Sequence, residues 1–251
     1  MSHIEREGAV SVLRIEHGKV QAMDLELISA FSETLDELRS LRPGAVILTG
    51  TGSAFSAGVD LPRLLEGGPD YVKKFIPALC DSVQKLFTFP RPVIAAVNGH
   101  AIAGGCIFVC ACDYRIMAEG SARLGVPELL VGVPFPPIVL EVLRFALPDE
   151  HIQELVYLGQ TYAPEKALGF GLLDELVKAE SMLERAKEVA HRLASLPMSA
   201  FEACKRQLRQ PFVERAARYE AEDGARILEQ WCSPETHAFV RAYVEKTIRK
   251  K

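Results

Sequence analysis

Two short segments, AVILTG at 45–50 and PVIAAVNG at 92–99, are apolar at almost every position and each ends in glycine. A strand with one wet face alternates polar and apolar residues. A run apolar throughout is buried on both faces, as in a parallel sheet covered by helices. The intervening sequence supplies such helices. LELISAFSETLDELRSL (25–41) carries apolar residues at helical spacing, and a further helix is expected over about 70–88. AVSVLRIE (9–16) alternates like a strand, and YRIMAEG (114–120) reads as another. This alternation predicts an α/β fold with a parallel sheet. Beyond about residue 178 the pattern is helical only, over 180–196, 198–209, 211–231 and 234–250. No Gly/Ser/Pro-rich linker divides the two parts, so one core with a helical extension is expected rather than two separate domains.

Composition narrows the function classes. With 251 residues, 49% hydrophobic and 25% charged, the chain fits one large globular domain. A net charge of −4 leaves no basic footprint for nucleic acid. No apolar run reaches membrane-spanning length, and MSHIEREGAV lacks the layout of a signal peptide. The final IRKK is not a peroxisomal address, and six cysteines are too few for a disulfide scaffold, so a reduced, cytoplasmic setting is expected. Cys106, Cys110 and Cys112 cluster, but among Ile107, Phe108, Val109 and Ala111 they read as small buried hydrophobes. No metal site is expected there, because metal-ligand cysteines usually come as C-x-x-C pairs.

Ligands of open α/β sheets bind beyond the carboxyl ends of strands. Two glycine-rich segments sit at such ends, TGTGSAFSAGVDL (49–61) and NGHAIAGGC (98–106). In the first, glycines at 50, 52 and 58 match neither the dinucleotide fingerprint nor the P-loop. Asp60 is placed to cap the helix that begins LPRLL, with Pro62 in its first turn. In the second, Gly104-Gly105 has a use where something approaches the main chain closely. A glycine turn opening a helix also exposes free N–H groups that hold negative charge. An amide at Val59 and another at Gly104 could share one oxygen, as an oxyanion site requires. Spacing alone leaves their convergence open.

FSAGVDL together with NGHAIAGGCIFVCACDYRI resembles the enoyl-CoA hydratase/isomerase (crotonase) superfamily. LTGTGSAFSAG, PVIAAVNG, LGVPELLVGVPFP and QTYAPEKALGFGLLDELV (160–177) extend that resemblance over nearly the whole chain. It implies a spiral of strand-strand-helix units over 1–178 that carries the CoA site. The helical region over 179–251 would then serve assembly and cover the active site. It further implies a homotrimer or dimer of trimers acting on an acyl-CoA thioester, with coenzyme A as part of the substrate and no separate cofactor. Carried over, the oxyanion amides fall on Val59 and Gly104. CoA contacts fall near Val20, Ala22, Ala57, Asp60 and Leu61, with Lys246 placed to reach a CoA phosphate. Phe239, Val240 and Tyr243 of the last helix are placed to line a neighbour's site.

The resemblance also bears on the reaction. The family's hydratases hold a water between two glutamates. One of those positions is Ile107 here, whereas the other keeps Glu128 in LGVPELLVG. Val126, Pro127, Leu129, Leu130 and Val131 surround Glu128 with apolar sequence, which would raise its pKa and suit it to proton transfer. A lone carboxylate facing an aliphatic wall moves a proton but anchors water poorly. AGGCIFVCACDYRI resembles the mitochondrial-type Δ3,Δ2-enoyl-CoA isomerases in particular, which also carry an aliphatic residue at this position. The expected activity is therefore enoyl-CoA isomerisation, with Glu128 as acid/base and Pro127, Pro136, Ile107 and Phe239 about the acyl pocket. A hydratase, or another crotonase-type lyase (dehydratase or decarboxylase), is the alternative, ahead of a non-catalytic CoA-binding homologue. The aspartate nucleophile of the aryl-CoA dehalogenases is replaced by Pro136, so displacement chemistry has no candidate.

Overall fold

The structure, a computed structural model, describes residues 2–247. Strands β1 (Ser2–Glu7) and β2 (Val10–Ile15) form a hairpin about Gly8. The short β3 (Ala22–Met23) follows, then α1 (Leu25–Leu41), whose N-terminus is capped by Asp24 accepting from the Leu27 amide at 2.7 Å.

Three strand-strand-helix units come next. The first is β4 (Ala45–Thr49), β5 (Ala54–Ser56) and α2 (Leu61–Phe87), with the two-residue β6 (Gly58–Val59) inserted before the helix. The second is β7 (Val93–Val97), β8 (His100–Ile102) and α3 (Gly104–Ala111). The third is β9 (Tyr114–Ala118), β10 (Leu124–Gly125) and α4 (Glu128–Val131). Each unit contributes its first strand to a six-stranded sheet, ordered β1-β2-β4-β7-β9 and closed by β12 (Glu175–Val177). The second strands build a smaller sheet, ordered β11-β10-β8-β5, where β11 is Thr161–Tyr162. This is the expected spiral, with β3 and β6 forming a parallel pair at its mouth.

The continuous apolar runs follow from burial on both faces. Val46 and Leu48 of β4 join the core under α1, α2 and α3, whereas Ala45 and Ile47 face the opposite way. That opposite face is covered by α8 (Met182–Ala194) through Met182, Ala186, Val189 and Ala190. The first helix of the C-terminal region is thus part of the sheet's own core, beyond the assembly and covering roles expected of that region.

Between β10 and α8 lie α5 (Pro137–Ala146), α6 (Asp149–Leu158) and α7 (Pro164–Gly169). Two further helices follow α8, namely α9 (Met198–Cys232) and α10 (Pro234–Thr247). The two helices expected on either side of residue 210 are one, because α9 runs through Pro211. A proline inside a helix removes one ladder hydrogen bond and crowds the carbonyl four residues back, at about 3 kcal/mol, and arginines on both sides of it anchor the helix against that cost. Arg209 donates to the carbonyls of Ala111 (2.9 Å) and Cys112 (3.2 Å), and Arg215 pairs with the buried Glu141 of α5. The helix expected to begin LPRLL and the one expected over about 70–88 are joined as α2, which starts at Leu61 and bends at Gly68 (φ 62°, ψ −162°).

Candidate active site

The glycine-rich segment after β4 is held by the segment after β7. Asn98 accepts from the Gly50 amide at 2.9 Å and donates to the carbonyls of Gly52 (3.0 Å) and Ala54 (3.2 Å). Gly50 leaves no room for a side chain, since a β-carbon there would stand 2.5 Å from Ala54 O, and Gly52 takes φ 64°. Beyond it, Gly58 adopts φ 80°, and a β-carbon there would stand 2.6 Å from the Ile102 carbonyl oxygen. The Asp60 amide donates to Met23 O at 2.9 Å, and Met23 lies directly opposite Val59 in the parallel pairing. In that pattern Met23 uses both its main-chain groups on β6, and the Val59 N–H is directed away from β3. Asp60 also accepts from the Arg63 amide at 2.9 Å, the predicted N-cap of α2.

The second segment turns sharply at Ala103, a non-glycine residue at φ 52°, ψ −123°. Such a conformation costs about 1–3 kcal/mol and persists where its surroundings enforce it. Here the Ala103 amide donates to Gly125 O at 2.8 Å and its carbonyl accepts from Ile107 at 3.1 Å. Gly104 opens α3, so its N–H has no intrahelical acceptor. A β-carbon on Gly104 would stand 2.7 Å from the Met23 sulfur, and one on Gly105 2.4 Å from Ser56 O. Close approach of the Ser56 main chain is thus why Gly105 is needed, whereas the neighbour at Gly104 is the end of the flexible Met23 side chain. The two turns approach each other closely: the Gly104 nitrogen is 3.2 Å from where a Gly58 β-carbon would be.

A cavity of about 520 Å³ opens beside these turns. Val20, Ala22, Ala57, Val59, Asp60, Leu61, Gly104, Ile107, Pro127, Glu128 and Pro136 all line it. Phe239 and Lys246, expected at the site, do not line the cavity of their own chain. Phe239 is 56% exposed and packs against Gly132, and Lys246 faces solvent. Val240, expected toward a neighbour, is buried in the chain's own core. Tyr243 and Thr247 are the α10 residues on the cavity wall.

Glu128 is the first residue of the single-turn α4, set by Pro127. Its Oε2 is buried and has no hydrogen-bond partner among the described residues. Burial pushes the carboxyl pKa up to about 8, only partly opposed by its own amide. The apolar surroundings are only partly those the local sequence suggested. Leu129 and Leu130 are exposed, because residues one and two places along a helical turn leave the face that holds Glu128 and Val131. Ile107, Val133 and Phe135 join Pro127 and Val131 on the apolar wall in their place. Asp60 and Glu128 are the carboxylates among the described lining residues, and Asp60 is engaged as a helix cap.

The sequence profile of the enoyl-CoA hydratase/isomerase family matches residues 5–250. The chain belongs to the enoyl-CoA hydratase/isomerase family. It is 25% identical to the mitochondrial enoyl-CoA delta isomerase 1 of Rattus norvegicus, over 99% of this chain and 88% of that protein. It is 33% identical to the carnitinyl-CoA dehydratase of Salmonella typhi, over 86% of this chain and 84% of that one. The crystal structure of human mitochondrial delta3-delta2-enoyl-CoA isomerase superposes with a TM-score of 0.94 at 24% identity. That comparison covers 100% of this chain and 99% of the human one, and at that identity it speaks for the fold.

Within this family member several lining residues escaped the sequence reading. Leu79 and Val83 of α2 and Val139 of α5 are core-like apolar residues at helical spacing, indistinguishable from packing. Trp231, the chain's single tryptophan, is buried at the cavity wall and donates from Nε1 to Pro134 O at 3.0 Å. A lone tryptophan on a long, otherwise charged helix was the available signal. It also pins the VPFPP segment, giving those prolines a fixed place along the wall. The clustered cysteines are buried and free, and the Cys112 thiol donates to Phe108 O at 3.3 Å. Among the described residues, no helix is long and apolar enough to cross a membrane.

Proposed function

We propose that this protein shifts the double bond of a 3-enoyl-CoA thioester to the 2-trans position. The thioester oxygen is held by the amides of Val59 and Gly104. Glu128, ionised, removes a proton from C2, and the electrons of that C–H bond pass into a dienolate whose negative charge rests on the held oxygen. The same carboxyl returns the proton to C4 as the double bond settles between C2 and C3. One donor of this kind contributes about 2.7–4 kcal/mol to such a barrier.

The observation that carries this reading is a single free carboxyl group, raised in pKa, on a wall whose family partner position is the buried aliphatic Ile107. Double-bond migration needs one proton shuttle and an exclusion of water. Hydration needs a second group to orient the water. The similarity to a carnitinyl-CoA dehydratase supports water addition or elimination as the second reading. Assay of the purified protein on 3-enoyl-CoA and 2-enoyl-CoA of several chain lengths separates the two. Faster hydration than isomerisation would replace the first reading by the second.

A further inference from the structure

We propose that Ser56 is the positioning residue that fixes the direction of the Val59 amide. The proposal rests on reading the Val59 and Gly104 amides as the oxyanion site. Ser56 does not touch the cavity; it acts through the backbone that does.

Its hydroxyl is fully buried and uses both its hydrogen-bonding capacities. It donates to Gln21 O at 2.7 Å and accepts from the Gly58 amide at 3.2 Å. Gln21 is itself buried at φ 50°, and its side-chain amide donates to the Thr51 hydroxyl (2.9 Å) and to Ala54 O (3.0 Å). The segment bearing Val20 and Ala22 is therefore tied to the β4–β5 turn on one side and to Ser56 on the other. On its third side, the Ser56 main chain abuts α3, where even one added carbon at Gly105 would meet Ser56 O at 2.4 Å. Ser56 thus joins the three segments whose relative placement sets the distance between the two amides.

The local backbone shows why a hydroxyl is needed. The pairing of β5 with β8 shifts register between Ala54 and Ser56, a bulge of the kind that re-aims residues beside a site. Gly58 follows at φ 80°, a conformation only weakly held by intrinsic preference, since glycine takes both signs of φ readily. The hydrogen bond from Gly58 N to Ser56 Oγ fixes the plane before Gly58. Given φ and ψ at Gly58, that sets the next plane, which carries the Val59 N–H. Without it the amide remains in the chain but loses its aim.

The test compares wild type, Ser56→Ala and Ser56→Cys at a temperature where each is folded, verified by circular dichroism. Two readouts go beyond stability. The first is the split between kcat and KM on 3-enoyl-CoA. The second is the enolate absorbance of bound acetoacetyl-CoA, whose ionisation an aligned oxyanion site promotes whichever reaction the enzyme runs. Ser56→Ala is expected to lose about 10²-fold in kcat, as misplacement by about 1 Å does, with KM little changed and the enolate band lost. Ser56→Cys, with a weaker donor and acceptor, is expected to fall between and decides the matter if the alanine variant does not fold. Undiminished kcat and band in the folded variants would overturn the proposal. Absence of the band in wild type that still binds CoA would instead overturn the oxyanion reading beneath it.

Discussion

Gly58 and Gly104 meet across the site: a β-carbon added to Gly58 would lie 3.2 Å from the Gly104 nitrogen and 2.7 Å from the Ala103 β-carbon. These residues come from successive strand-strand-helix units, so their contact brings the turns that carry Val59 and Gly104 together on one cavity wall. Gly58→Ala has to bear both a positive φ and contact with backbone. A loss of about 1–3 kcal/mol in stability is expected from the conformation alone. Activity should fall further, by about 10²-fold, since the turn shifts. Gly52→Ala is the control, because Gly52 also has positive φ (64°) but open space around it. Denaturant midpoints and kcat for both variants check this: Gly52→Ala should lose stability and keep kcat.

Glu128 sets the pH behaviour. Its carboxyl pKa is about 8 in the folded chain and the ordinary 4.5 when unfolded. The folded state therefore binds more protons between those values, and this group's contribution to stability declines as pH rises through that window. The slope is at most about 1.4 kcal/mol per pH unit. Glu128→Gln should remove that decline, leaving the variant more stable than wild type at pH 9 and similar at pH 4. For catalysis the sign is opposite, because the base works ionised: kcat/KM should rise with pH toward about 8. Glu128→Gln should abolish turnover while still binding acyl-CoA. Thermal melts and a pH–rate profile test the two limbs separately.

Asp113 joins the end of α3 to α9. It accepts from Lys205 at 2.6 Å, from Arg209 at 2.7 Å and from the Val93 amide at 2.8 Å, with both cations nearly buried. Burial pulls the Lys205 pKa down to about 8, against the attraction of Asp113. Asp113→Ala leaves two buried cations without their anion and should cost about 3–5 kcal/mol. Chemical denaturation is the measurement, and a loss below 1 kcal/mol on the same scale would mean the cluster is solvated in solution.

Exposed apolar residues gather on neighbouring elements: Leu129 and Leu130 on α4, Tyr157 and Leu158 at the end of α6, and Phe239 on α10. Gly159 packs on Leu130 and Gly132 on Phe239, which makes these elements one surface. Apolar area of this kind marks an interface. A trimer or dimer of trimers is expected by light scattering at micromolar concentration, and Leu130→Glu is expected to dissociate it. A monomeric wild type would refute the assembly.

What could be read from the sequence was whatever depends on local pattern. The all-apolar runs at 45–50 and 92–99 announced a sheet buried on both faces, and Asp60 announced the start of α2. Glu128 and Ile107 were found by resemblance, and the fold lines both on one cavity. Features that depend on how units cross were not legible. Nothing in a serine within FSAG indicates that its hydroxyl ties Gln21 to Gly58. Nor does the spacing of residues 59 and 104 say that their turns touch. Leu129 and Leu130 misled because adjacency in sequence is not adjacency on a helical turn. At Pro211 a local breaker was overridden by tertiary anchors on either side.

Ile107 carries the distinction between moving a double bond and adding water. It lies in the first turn of α3, 1% exposed, on the cavity that Glu128 also lines. Wild type should isomerise 3-enoyl-CoA much faster than it hydrates 2-enoyl-CoA, because a water held by one carboxylate in an apolar site lacks its second anchor. Ile107→Glu supplies that anchor. The new carboxylate would sit near a helix N-terminus, which favours negative charge by about 0.3–1 kcal/mol. Against this stand the burial of a charge where packing was apolar and repulsion from Glu128, which would raise the pKa of one of the pair further. The expected outcome is lower stability, measurable hydration of 2-enoyl-CoA, and a pH profile with two ionisations in place of one. Hydration by wild type as fast as isomerisation would refute the argument from a single carboxylate, and hydration absent from a folded Ile107→Glu variant would refute the assignment of residue 107 as the missing water anchor.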